Sequence, residues 1–139
     1  MFKSIQAIFI LIFLPFSAVA HEFNPAHLVI KEVENNIYQT EWMYPVKNIG
    51  VRGEVLFPLG CIRENTQIEK NGRYLVEAFS LICESTLKGQ KINVTSLSVL
   101  TDALVTVNHL DATTFEGIMN SKSPTIQIPL EKQIYPTAY

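Results

Sequence analysis

The stretch Leu56-Phe57-Pro58-Leu59-Gly60-Cys61, with the segment that runs from it to Leu81-Ile82-Cys83, decides the fold. Pro58-Leu59-Gly60 turns the chain into Cys61. Ile62 to Lys70 is polar and suggests no more than a short strand around Gln67 to Glu69. Asn71-Gly72 is the strongest turn signal in the chain, the dipeptide favoured where a type I′ hairpin needs two residues with positive φ. Tyr74 to Ile82 then reads as a long strand. Side chains alternate across a strand, so Leu75, Phe79, Leu81 and Cys83 share a face and Cys83 points inward. Glu77 falls on the same face, and the alternation does not explain it.

Upstream of this stretch, Leu28 to Val33 and Ile37 to Tyr44 are two strands joined by Glu34-Asn35-Asn36. Asparagine tolerates the left-handed region and bonds its own backbone, so a hairpin is expected. Tyr38, Thr40, Trp42 and Tyr44 form the core face of the second strand, and Pro45 stops it because proline cannot donate to a ladder. Arg52 to Phe57 is a third strand. Downstream, Lys91 to Leu97, Ala103 to Leu110, Thr113 to Met119 and Pro124 to Leu130 are further short strands separated by turns. No segment keeps a 3.6-residue period over the length of a helix. Some eight short strands predict an all-β chain: one antiparallel β-sandwich, Ig-like in size, with one disulfide.

The N-terminus predicts export. Lys3 is a short positive region, Ile5 to Phe16 is an apolar run of about a dozen residues, and Ala18-Val19-Ala20 is a small-x-small cleavage signature. The run falls short of the roughly 20 residues that span a bilayer. The expected organisation is a signal peptide at 1–20, a β-sandwich domain at 21–131 and a flexible tail at 132–139, in the periplasm or at the extracytoplasmic face of a membrane. Two cysteines in an exported chain are most simply one disulfide, Cys61–Cys83, whose spacing is far from the C-x-x-C of metal and redox pairs. Thirteen acidic residues against eleven basic ones, with no basic run, argue against a nucleic-acid footprint.

Candidate chemistry is sparse. After cleavage His21 would be the first residue, offering an α-amino nitrogen and an imidazole that suit copper or nickel. His27 and His109 are the other two histidines and complete the candidate ligand set. Against this, a terminal histidine is also what a signal peptidase leaves behind, and His109 reads equally as a strand-end residue. Asp102 and Asp111 flank a strand, and Glu32, Glu34 and Glu41 lie near the first hairpin; solvated hairpin positions account for them without acid–base work. Ser80 and Ser85 lack the strand-to-helix setting of a hydrolase nucleophile. No catalytic constellation emerges, and no enzyme activity is expected.

Several short motifs occur in one order. A signal peptide and terminal histidine precede Pro25-Ala26-His27-Leu28. Then come Glu41-Trp42-Met43-Tyr44-Pro45, Phe57-Pro58-Leu59-Gly60-Cys61 and Cys83. Leu87-Lys88-Gly89-Gln90-Lys91-Ile92 with Leu97, Thr101-Asp102-Ala103-Leu104-Val105-Thr106-Val107 and Pro124-Thr125-Ile126-Gln127-Ile128-Pro129 follow. In this order and spacing, over nearly all of the mature chain, the sequence resembles the N-terminal extracytoplasmic domain of HupE/UreJ-like membrane proteins. In that family the domain precedes a bundle of transmembrane helices with histidine- and aspartate-containing segments, and the name implies nickel or other metal transport. The present sequence carries no such helices after Tyr139, so no transport residue is carried over. The resemblance implies a non-enzymatic accessory or interaction domain serving a membrane transporter, either as a stand-alone or truncated version of the family or with its membrane half in a separate chain. The alternative is a soluble periplasmic copper- or nickel-binding protein that uses His21.

Overall fold

A computed structural model describes residues 24–47 and 52–131. These residues form nine strands: β1 (Ala26–Glu34), β2 (Ile37–Pro45), β3 (Glu54–Leu56), β4 (Cys61–Asn71), β5 (Tyr74–Cys83), β6 (Lys91–Thr95), β7 (Ala103–Asn108), β8 (Thr114–Met119) and β9 (Thr125–Gln127). They build a broad six-stranded sheet in the order β4-β5-β2-β1-β7-β8, and a narrow three-stranded sheet in the order β3-β6-β9. The expected two-sheet all-β architecture is therefore present. The expected tail at 132–139 and the signal peptide lie outside the described residues.

The expectation of a purely antiparallel sandwich needs one correction. All strand pairs are antiparallel except β1 and β7, which run parallel from Ala26↔Ala103 to Lys31↔Asn108. Between β5 and β7 the chain passes through β6 in the narrow sheet. Strand β7 then returns to the broad sheet running the same way as β5 and β1. Periodicity reports which face a residue occupies and is blind to this pairing.

The core lies between the sheets, and alternation dictates its members. Leu28 and Ile30 of β1, Tyr38 and Trp42 of β2, Phe79 and Leu81 of β5 and Val105 and Val107 of β7 are all buried. They pack in one cluster with Val55, Ile92, Val94 and Ile128 from the side of the narrow sheet. Thr40 and Tyr44 are buried as well, so the whole predicted core face of β2 is inside. At the open side of the sandwich β8 approaches β9 closely. A Cβ at Gly117 would lie 2.2 Å from Ile126 Cδ1, so any larger residue there would make the Ile126 side chain shift.

The opening stretch differs most from its sequence reading. Strand β4 is eleven residues long, where only a short strand was expected. It is an edge strand held by pairing with β5 from Cys61↔Cys83 to Asn71↔Tyr74, and most of its residues are exposed. An edge strand with no buried face needs no apolar alternation, so its sequence signal is weak. Its register shifts between Glu64 and Gln67, where Asn65 takes a positive φ of 55°. The bulge and the charged side chains protect the open edge from pairing with another chain. The hairpin turn also shifts by one residue. Asn71 pairs with Tyr74, so the two loop residues are Gly72 and Arg73, and of these only Gly72 has positive φ (59°). That is the sign pattern of a II′ turn rather than I′. Cys61 and Cys83 are bonded directly across β4 and β5, with Cα atoms 4.0 Å apart.

Candidate functional site

The residue that alternation left unexplained proves to be the centre of a cluster. Glu77 points inward from β5 with its side chain only 12% exposed. Its Oε1 accepts from Arg63 Nη1 of β4 at 3.0 Å, and its Oε2 accepts from Arg52 Nη2 at 3.1 Å. The Arg63 guanidinium lies 4.6 Å from the Phe79 ring centroid and 5.2 Å from that of Phe57. Its Nη2 donates to the Val55 carbonyl of the narrow sheet. Nearby, the Trp42 indole N–H donates to the Gly53 carbonyl at 2.9 Å. Both carboxylate oxygens of Glu77 are thus occupied by guanidinium groups, which suits a clasp between the sheets and not a proton carrier. The sequence held one clue, a carboxylate on an apolar face, since a buried charge needs a partner.

A second polar group gathers where β1 ends and β2 begins. Glu32 accepts from the backbone N–H of Leu110 at 2.8 Å and of Asn36 at 3.0 Å, tying the first hairpin to the loop after β7. Tyr38 Oη accepts from the Leu87 N–H at 3.1 Å, and burial pushes the phenol pKa above its usual value. Lys88 pairs with Asp111, and Asp111 Oδ1 also accepts from the Thr113 N–H and hydroxyl. The Lys88 and Thr113 contacts hold the Asp111 carboxyl well below its usual range. Two of the five carboxylates considered for acid–base work therefore tie loops together: Glu32 through backbone N–H groups, and Asp111 through Lys88 and Thr113.

His109 sits in this region, 8% exposed, and its Nδ1 has no hydrogen-bond partner among the described residues. Burial, reinforced by the neighbouring Lys88 charge, lowers its pKa below the ordinary histidine value, so it is held neutral. His27 lies elsewhere. It is half-buried on the opposite, outer face of the broad sheet, its ring edge-on to Tyr74 at 5.8 Å between centroids. The Tyr74 hydroxyl donates to Asn24 Oδ1 at 2.7 Å. His27 stands opposite Leu104 in the register, five residues before His109. Strand rise alone separates the two histidines by roughly 16 Å. They occupy different faces, so the structure does not bring His27 and His109 to one ion. His21 lies outside the described residues. Among those described, no group of three or more His, Cys, Asp or Glu is placed to hold a metal.

The remaining candidates have simple surroundings. Ser80 Oγ accepts from Gln39 Nε2 at 3.2 Å, and Ser85 Oγ accepts from Gln90 Nε2 at 3.0 Å. No described residue pairs either hydroxyl with a histidine.

The outer face of the broad sheet is the other candidate region, and sequence reading passed over it. Strand registers place Val76, Met43, His27, Leu104 and Ile118 side by side across β5, β2, β1, β7 and β8. At the β7–β8 end this row borders a surface depression of about 400 Å³, lined by His27, Leu104, Thr106, Glu116 and Ile118 among others. The signal was present in the alternation of each strand. Only the cross-strand register shows that the outward apolar residues fall in one line. Neither family models nor curated proteins match this chain.

Proposed function

We propose that this chain is a non-enzymatic exported interaction domain, acting at the extracytoplasmic face of a membrane as an accessory to a membrane-embedded partner, of the metal-transport kind that the HupE/UreJ-like resemblance implies. The observation that carries the reading is the outer face of the six-stranded sheet. A solvent face whose strands line up apolar residues in one row suits contact with another macromolecule. The cross-strand disulfide supports an oxidising compartment. The clasp and the loop-tying carboxylates account for the charged residues nearest the core through structural roles. Among the described residues no helix is long and apolar enough to cross a membrane.

The test is crosslinking in native membranes, with the chain expressed behind its own leader and captured through a C-terminal tag. The expected result is a specific adduct with a multi-helix membrane protein, encoded beside this chain in the genome. Recovery of the chain with no membrane protein crosslinked would overturn the reading.

A further inference from the structure

The outer face of the broad sheet carries charge of one dominant sign as well as an apolar row. The registers direct Glu41, Glu64, Glu69 and Glu116 outward, against a single outward-facing strand base, Lys31. Glu69 pairs with Val76 and so stands at one end of the row. Glu41 and Glu116 lie one row over, linked through Val29 and Thr106, while Lys31 lies one row further still. The apolar row spans five strands, roughly 19 Å at the usual strand spacing. Ile118 at its end is 58% exposed, beside the depression. His27 is fixed there by its edge-on contact with Tyr74.

We propose that this face docks a basic amphipathic segment of a partner polypeptide. The partner's apolar side chains lie along the Met43–His27–Leu104–Ile118 part of the row, since Val76 at its other end is buried, with one anchored in the depression at Ile118. Its Lys or Arg residues meet Glu41, Glu69 and Glu116. The charge pattern selects this occupant: acidic residues flanking an apolar line attract a basic amphipathic segment and steer its approach. The same pattern disfavours a second copy of the chain, which would set acid against acid. This inference rests on the interaction-domain reading and adds the chemistry of the partner.

The test is an NMR titration of the isotope-labelled exported chain with a synthetic Leu/Lys amphipathic peptide. A Leu/Glu peptide of the same pattern and a Lys/Ser peptide serve as comparisons. Shift changes are expected to concentrate at His27, Leu104, Thr106, Glu116 and Ile118, with the Leu/Lys peptide binding tightest. Ile118→Asp and Glu116→Lys should each weaken binding about tenfold or more. Both positions are exposed, so the fold is retained, and the amide spectrum of each variant checks this. Ile62→Asp, outward-facing at the far corner of the same sheet, should leave affinity unchanged. No binding, shift changes centred elsewhere, or equal binding of the acidic peptide would overturn the proposal. So would a dimer in sedimentation that Ile118→Asp dissolves. Membrane-partner crosslinking that survives both Ile118→Asp and Glu116→Lys would remove this face and keep the interaction reading. Peptide binding here without any membrane partner would do the reverse.

Discussion

Two regions of the sandwich use charge in different settings, and the difference is instructive. On the β4–β5 side, Arg52 and Arg63 bracket a Glu77 that is only 12% exposed, and Arg63 also rests on two aromatic rings. At the loop after β7, Lys88 meets an Asp111 whose side chain is 50% exposed. The chemistry of the pairs is alike, and their consequences are not. Water competes with the exposed pair and screens it. In the clasp Glu77 is withdrawn from water while its two arginines stay partly exposed, so removing an arginine leaves a largely buried carboxylate with one partner fewer. The clasp side also carries the disulfide, while the loop side carries a buried neutral histidine.

The largest expected effect lies on the β4–β5 side. Replacing both cysteines, Cys61→Ala with Cys83→Ala, should lower stability by roughly 3 kcal/mol, the loop-closure value for the 22-residue separation. Denaturant unfolding measures this, and a loss below about 1 kcal/mol would show that pairing with β5 already holds β4 in place. Glu77→Ala comes next, at about 2 kcal/mol, discounted from the fully buried case because both arginines are partly exposed. A neutral outcome in the same assay would mean that water satisfies Arg52 and Arg63, and would erase the contrast between the two regions.

The histidine gives a smaller effect with a sign. His109 has a lowered pKa in the fold, so below about 6.5 the unfolded chain takes up a proton that the folded chain still refuses. Stability from this group is complete above about pH 6.5 and falls as pH drops towards the folded value. Thermal melts between pH 7 and 5 should show this decline, and His109→Gln should flatten it. An unchanged slope in the variant would mean that another group carries the dependence. The smallest effect belongs to the exposed pair: Lys88→Met should leave the midpoint of thermal unfolding unmoved, and a clear drop would place the loop among the strong contacts.

Much of the sandwich was legible because alternation is a local property. Tyr38, Thr40, Trp42 and Tyr44 were assigned to the core, and all four are buried. Asn36 was expected to favour a left-handed turn, and its φ is 61°. Strand β4 was hardly legible, because an edge exposed along most of its length carries no alternating apolar signal. Glu77 could be flagged as an anomaly on its strand. Its answer lay in Arg63, fourteen residues away and across a hairpin, and in Arg52, before another strand. The outer apolar row was invisible for a related reason: each of its five members sits on a different strand.

The sequence by itself determined the period-two pattern, the first hairpin turn, the inward direction of Cys83 and the pairing of the two cysteines. Each of these follows from backbone geometry within a few residues, or from there being only two thiols to join. Tertiary structure alone decided that β7 lies parallel to β1, that His27 and His109 stand on different faces, and that four outward apolar residues line up with His27. Those facts depend on strand order and register, which are set by how the two sheets close over the core and not by any local run of residues.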